Sequence, residues 1–297
     1  MRNFLVFIGL LFVSAVQAET IDFEGVGTIQ GPPFDVDSMG YTVQYIVFGG
    51  SPEPGVRPGS LSPNGTDIYI MCGFCASTTG FNLYRNDSEP FRLYSIDLGG
   101  VDLDGAGSTT NDEFDFTLTG YLVGGGTVSA AATVAVSEGL ITLIMDDSWR
   151  NLTSVKVIAD NTGNVGFSGS AYDNIIVAKS VSIDVLPGNS ANVIYPNRPG
   201  KLPVAVLSSA SFDATQVDPA TLRFGFWEAS PTEAATITNV DGEFGDDTRV
   251  RFKVPDAGIV CNDPDVSLSG ETYAGEAITG FDLIDATDCE AGSCHVY

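Results

Sequence analysis

Apolar and polar residues alternate with a period of two along much of this chain. Tyr41, Val43, Tyr45 and Val47 are interleaved with Thr42, Gln44 and Ile46, and Phe114, Phe116 and Leu118 with Asp115, Thr117 and Thr119. The same spacing returns at Tyr94, Ile96 and Leu98, at Val181, Ile183 and Val185, at Leu222, Phe224 and Phe226, and at Val250, Phe252 and Val254. A period of two built from aromatic and β-branched residues turns one face of each segment toward a core, which is the mark of a β-strand. Turn formers such as Gly49-Gly50, Asn64-Gly65, Gly99-Gly100 and Pro187-Gly188 punctuate these runs. No amphipathic helix pattern follows the first segment, and Ser211 to Pro219 has room for one short turn. Many short strands with frequent turns predict an all-β chain made of β-sandwich or jelly-roll modules.

The first 18 residues follow a different rule. Arg2 precedes an apolar run from Phe4 to Val13, and Val16 and Ala18 supply small residues at the −3 and −1 positions of a cleavage site. That order of parts reads as a secretory signal peptide, residues 1–18. The run is short of the ~20 apolar residues that span a bilayer. No Cys follows it to take a lipid, and no later stretch is long and apolar enough to span. The expectation is a secreted or periplasmic, surface-associated protein without a membrane span.

The chain has 297 residues, more than one domain of ordinary size. Residues 171–177 read as a closing strand and residues 181–185 as an opening one, so the boundary falls near Ser180. This predicts modules at 19–179 and 180–297.

Composition narrows the partners. The net charge of −25 repels phosphate backbones and anionic lipids, which argues against nucleic acid as a partner. It suits divalent cations, and it also serves plain solubility. Apolar and aromatic residues are too plentiful for disorder. The five cysteines are Cys72, Cys75, Cys261, Cys289 and Cys294. In an exported chain they read first as disulfide candidates, with one thiol left over. Cys72-Gly73-Phe74-Cys75 lacks a helix-forming sequence after it, so a small structural disulfide fits better than a redox pair. Cys261 and Cys289 bracket the last strands and are expected to pair, with Cys289–Cys294 as the alternative.

Two sets of motifs carry family resemblances. In the first module these are Ile21-Asp22-Phe23-Glu24-Gly25, Phe91-Arg92-Leu93-Tyr94-Ser95-Ile96-Asp97-Leu98, Gly120-Tyr121, Gly124-Gly125-Gly126-Thr127-Val128 and Tyr172-Asp173-Asn174-Ile175. Their order resembles the jelly-roll domains of secreted bacterial proteins, including those with exosortase-type C-terminal anchors. It also resembles the wider galactose-binding-like fold of carbohydrate-binding modules. The chain departs from the anchored proteins in ending at Cys294-His295-Val296-Tyr297, with neither an apolar nor a basic tail. The second module carries Ile183-Asp184-Val185-Leu186-Pro187-Gly188, Leu202-Pro203-Val204-Ala205-Val206-Leu207, Val217-Asp218-Pro219 and Leu222-Arg223-Phe224-Gly225. It resembles an uncharacterised β domain found near the C-termini of bacterial extracellular proteins, which implies location more than activity.

The first resemblance implies a calcium site. In the galactose-binding-like fold the first and last strands lie close together, and acidic side chains there often hold calcium with backbone carbonyls. Ca²⁺ takes 6–8 oxygen ligands. Glu24 and Asp173 are the implied ligands, with Asp22 beside them, and the alternative is that all three are strand-end acids or turn caps. In the second module Asn239 to Asp247 (NVDGEFGDD) resembles an eroded EF-hand loop in which Asp241 and Asp247 remain suitable. Phe244 stands where the sharp turn needs Gly, so an acidic hairpin turn is the plainer reading.

Catalytic signatures are sparse. A single His, His295, argues against Ser-His-Asp, Cys-His and His-metal chemistry, and no Gly-rich loop opens a helix. Acid pairs could hydrolyse glycosides, but none stands out. Sugar binding calls for an exposed aromatic platform. Tyr69, Phe74 and Tyr84 fall in the turn-rich region around the first cysteine pair and are the candidates for a ligand face. The expectation is a non-catalytic, calcium-stabilised binding protein for extracellular glycan, matrix or cell surface. The alternatives are a structural component of the cell exterior and a polysaccharide hydrolase.

Overall fold

The computed structural model describes residues 18–24, 35–46, 55–57, 68–72, 78–102, 113–161 and 168–287. The chain is all-β. The only helical pieces among the described residues are single 3-10 turns, one of them at Ala214–Gln216, where Asp213 accepts the Thr215 amide. Twelve strands precede Val181: β1 (Glu19–Ile21), β2 (Val36–Ser38), β3 (Tyr41–Tyr45), β4 (Gly55–Arg57), β5 (Ile68–Cys72), β6 (Thr78–Arg85), β7 (Phe91–Asp102), β8 (Glu113–Leu122), β9 (Thr127–Ala135), β10 (Leu140–Ile144), β11 (Leu152–Asn161) and β12 (Ser168–Ser180). Nine follow: β13 (Ile183–Val185), β14 (Val193–Ile194), β15 (Lys201–Val206), β16 (Val217–Phe224), β17 (Thr236–Thr238), β18 (Asp247–Lys253), β19 (Asp265–Thr272), β20 (Ala277–Leu283) and β21 (Asp285–Ala286).

The first twelve strands form two layers. One runs β2-β3-β6-β11-β8-β9 and the other places β12 between β7 and the pair β1 and β5, with β10 beyond β7 and β4 beyond β5. Alternation along β8 sends Phe114, Phe116 and Leu118 inward, where all are buried. Rings from the two layers meet edge to face: Phe81 and Phe116 lie 4.9 and 5.8 Å from Tyr172. Such contacts add to the burial of 150–250 Å² that each ring typically provides. One expected row breaks. Tyr94 is not in the buried row with Ile96 and Leu98, because a bulge against β12 makes Tyr94 an extra residue and puts Leu93 inside instead. An inserted residue reverses the side-chain parity downstream of it.

The later strands pack as a second pair of sheets, β13-β15-β18-β17 and β16-β19-β20. Between them Phe224 and Phe252 stack at 4.9 Å among Val204, Val206, Leu222, Leu268 and Ile278. The buried apolar side chains thus fall into two large clusters, one spanning Ile21 to Val177 and the other Ile183 to Ala286, with a small third at Ile70, Val101 and Ala171. Strand β12 continues into β20 as a parallel pair, Lys179 opposite Ile278, so one sheet crosses from one cluster to the other. Buried Arg85 reinforces this seam. It donates to Asp87 at 2.8 Å, to Glu276 at 2.7 Å and to the Tyr41 hydroxyl at 3.1 Å, while Lys179 reaches Asp87 at 3.3 Å. Burial alone would raise the Asp87 carboxyl, but the bonds from Arg85 and the Glu89 amide hold it well below the usual carboxylate range.

Candidate functional site

The outward face of the β3-β6-β11-β8 sheet carries an ordered set of polar and aromatic side chains. Gln44 pairs with Asn82, Asn82 with Lys156, and Lys156 with Thr119, so these four form one row. Thr42 pairs with Tyr84, and Ser154 pairs with Tyr121. Leu83 opposite Val155 sets Tyr84 next to Ser154, which completes a second row. The opposite parity, Val43, Leu83 and Val155, is core. Tyr84 and Tyr121 therefore flank Ser154 on the solvent side, two strand spacings or about 10 Å apart. Together with Gln44, Asn82 and Lys156 they line an open groove of about 470 Å³. Tyr121 is 40 % exposed. The groove thus offers two tyrosine rings, a lysine, two side-chain amides and a hydroxyl, all fixed on paired strands. That combination suits a ligand with both flat apolar faces and hydroxyl groups.

Of the residues expected at a ligand face, Tyr84 lies in this groove. Tyr69 does not, and the expectation is corrected: it is fully buried, 5.5 Å from Phe23 in a stacked pair and 6.4 Å from Phe81 edge to face. Its alternation within β5 points it into the sandwich, and burial pushes its hydroxyl pKa up. Phe74 and Cys75 lie outside the described residues, and Cys72 ends β5. Tyr121 was missed. Its signal was available: Asp115, Thr117, Thr119 and Tyr121 share the outward parity of β8, and a large ring at a polar position marks an exposed platform.

The acids expected near calcium lie on the opposite layer. β1 pairs antiparallel with β12, Ile21 opposite Ile175. This brings the Asp22–Glu24 segment to the Asp173 end of that pairing. Ile21 and Phe23 are buried while Asp22 is half-buried and Glu24 exposed. Asp22 accepts the Glu24 amide at 3.1 Å. Asp173 is fully buried, and its carboxylate accepts the Asn174 amide at 2.9 Å. Among the described residues no group of three or more His, Cys, Asp or Glu side chains is arranged to hold a metal.

No family model and no curated protein matches the chain. Among solved structures it is similar to the carbohydrate-binding and catalytic modules of the Clostridium thermocellum xylanase 10B in complex with xylohexaose, at 11 % identity and a TM-score of 0.31, covering 52 % of this chain and 28 % of that one. It is also similar to the glycoside hydrolase domain of Endo-D from Streptococcus pneumoniae, at 9 % identity and 0.29, covering 82 % of this chain and 37 % of that one. A β-1,2-glucanase from Parabacteroides distasonis gives 10 % identity and 0.23, covering 85 % and 38 %. The chain spans about a third of these larger proteins. Likeness this slight transfers neither ligand nor activity, and the resemblance to exosortase-anchored domains gains no support from it.

The acidic segment 239–247 closes the β17–β18 hairpin. Both oxygens of buried Asp247 are taken by backbone amides, Ser208 at 2.8 Å and Val240 at 2.7 Å. Asp241 accepts the Glu243 amide at 2.8 Å and Asn239 that of Gly242 at 2.5 Å. These are the bonds of a self-capped turn. Cys261 is disulfide-bonded, while Cys289 and Cys294 lie outside the described residues, as do residues 1–17 of the expected signal peptide. Among the described residues no helix is long and apolar enough to cross a membrane.

Proposed function

We propose that this chain is a non-catalytic glycan-binding protein that lays an extended polysaccharide across the outward face of the β3-β6-β11-β8 sheet. One observation carries this reading: Tyr84 and Tyr121 stand in one row on that face, flanking Ser154, beside a row of Gln44, Asn82, Lys156 and Thr119. A pyranose ring has an apolar C–H face that stacks on an aromatic ring and a rim of hydroxyls that both donate and accept. Rings separated by one intervening strand can hold two separated sugars of one chain. The polar row satisfies the hydroxyls that burial would otherwise leave unpaired.

The test is binding of the purified protein to immobilised glycans, compared with a Tyr84→Ala/Tyr121→Ala double variant. At least one neutral polysaccharide is expected to bind the parent and to lose tenfold or more in affinity with the variant. Retained binding would move the ligand elsewhere. Calcium belongs to the same reading as a stabiliser held near Glu24 and Asp173 with backbone carbonyls, supported by the β1–β12 pairing. A ligand of the native state alone raises apparent stability by mass action. Calcium should therefore raise the melting temperature, chelator should lower it, and Asp173→Asn should remove the difference.

A further inference from the structure

Two exposed rings stand away from the tyrosine face, on the turn after β16. Phe226 is 85 % exposed and Trp227 52 %. They wall a cleft of about 580 Å³ whose other sides come from Val260, Asp263, Asp265 and Phe281, with Asp147 contributed from before the seam. This turn is held rather than loose. Gly225 takes φ +71, and a Cβ there would fall 2.2 Å from the Ala257 carbonyl oxygen. Gly258 takes φ +67, and a Cβ there would fall 2.6 Å from Cγ of Trp227. The indole thus rests against bare backbone, in a place that only glycine leaves open. A half-exposed ring with its underside fixed in this way is a preorganised platform.

The chemistry around the rings selects the ligand. Each rim carboxylate already has a donor: Asp147 is bonded to Arg92 at 2.6 Å, Asp265 to Arg150 at 2.5 Å and Asp263 to the Val260 amide at 2.7 Å. The two guanidiniums sit over the ring of Phe281, at 5.1 and 4.3 Å. The Arg92 and Arg150 guanidiniums offset the charge on Asp147 and Asp265 that a cationic ligand would seek. An anionic one would meet the field of a chain with net charge −25. Carboxylate oxygens that accept one bond still have lone pairs for further donors. Flat apolar rings edged by acceptors with spare capacity suit a neutral, hydroxyl-rich ligand with an apolar face.

We propose that the Phe226–Trp227 cleft is a second saccharide site, for a neutral oligosaccharide, built jointly by the two sandwiches at their seam. It is separate from the tyrosine face and does not depend on it. The protein would then hold glycan at two places.

The chain contains two tryptophans, and the other, Trp149, is 2 % exposed. Trp227 emission therefore reports on this cleft. The full chain is titrated with cello-, xylo-, manno- and laminari-hexaose, and with hexalysine as the cationic control. A neutral hexasaccharide is expected to shift the emission to the blue. Calorimetry should show its affinity falling tenfold or more in Phe226→Ala and in Trp227→Ala, while the Tyr84→Ala/Tyr121→Ala variant keeps the fluorescence response. Phe226 is so exposed that its removal leaves folding intact, so that variant stands alone if Trp227→Ala misfolds. The proposal is overturned by a response to hexalysine alone, by no response to any hexasaccharide, by unchanged affinity in Phe226→Ala, or by loss of the response in the tyrosine double variant. Only that last outcome would reassign the signal to the tyrosine face. Failure of the tyrosine face would instead appear as unchanged glycan binding in the double variant.

Discussion

The two sandwiches use aromatic residues in opposite ways. The first buries its rings: Phe23, Tyr41, Tyr69, Phe81, Phe91, Phe114, Phe116 and Tyr172 are all fully enclosed. Two of its outward rings, Tyr84 and Tyr121, stand on long paired strands. Among the described residues of the second, Phe224 and Phe252 are the fully enclosed rings, and Phe226, Trp227, Phe244 and Tyr273 are displayed on turns. A ring on a strand is aimed by the pleat and needs no other support. A ring on a turn is aimed only if something fixes the turn, and here the close approaches at Gly225 and Gly258 do so. The first arrangement gives a shallow, open face. The second gives a cleft.

The largest effect is expected in the first core. Phe81→Ala removes contacts to Tyr69 and Tyr172 and should cost about 3–5 kcal/mol in denaturant unfolding. A loss below about 1 kcal/mol would break the claim that rings carry this sandwich. Next comes the support of the turn. Gly258→Ala collides with Trp227 at a left-handed φ, costs about 1–3 kcal/mol, and should alter Trp227 emission. Gly124→Ala has a similar φ of +81 but open space around it, so it should cost only about 1–2 kcal/mol and leave the emission alone. Equal effects would deny that the glycine is there for the indole.

The seam between the two sandwiches should respond to pH. Burial pushes the Glu19 carboxyl up to about 7, against the pull of the Ala277 amide it accepts and of nearby Arg85 and Lys179, and one of its oxygens is buried without a partner. The folded state therefore binds this proton more tightly than the unfolded chain, whose ordinary value is 4.5. The stabilisation is complete below that value and is lost as pH rises through about 7. Melting curves across that window should show the decline, and Glu19→Gln should flatten it. The smallest effect is at the tyrosine face. Tyr84→Ala and Tyr121→Ala should each change stability by no more than about 0.5 kcal/mol while weakening glycan binding. A larger destabilisation would make these rings part of the framework rather than of a ligand face.

Much of the fold was legible along the chain. The alternation at Tyr41–Tyr45, Phe114–Leu118 and Val250–Val254 predicts strands whose inward residues are buried. The turn near Ser211 to Pro219 is present as Ala214–Gln216. The all-β architecture follows from these local patterns. Two rows misled. Tyr94 left its row at the bulge against β12. Phe226 continues the spacing of Leu222 and Phe224, yet β16 ends at Phe224 and Gly225 turns the chain outward. The candidate face was half visible. Tyr84 was found through its turn-rich surroundings, Tyr69 from the same stretch proved to be core, and Tyr121 was passed over although its parity in β8 marked it.

The sequence by itself determined that the chain is built of strands and, where no bulge intervenes, which face of many of them is apolar. That information lies in neighbours two residues apart, and desolvation of one face is enough to enforce it. The tertiary structure alone decided which strands lie side by side. It set Tyr84 across Ser154 from Tyr121, brought β1 to β12, and carried Asp147 to the cleft of Trp227. Those partners are tens of residues apart, and their meeting depends on register, bulges and close backbone approaches fixed only when whole layers pack together.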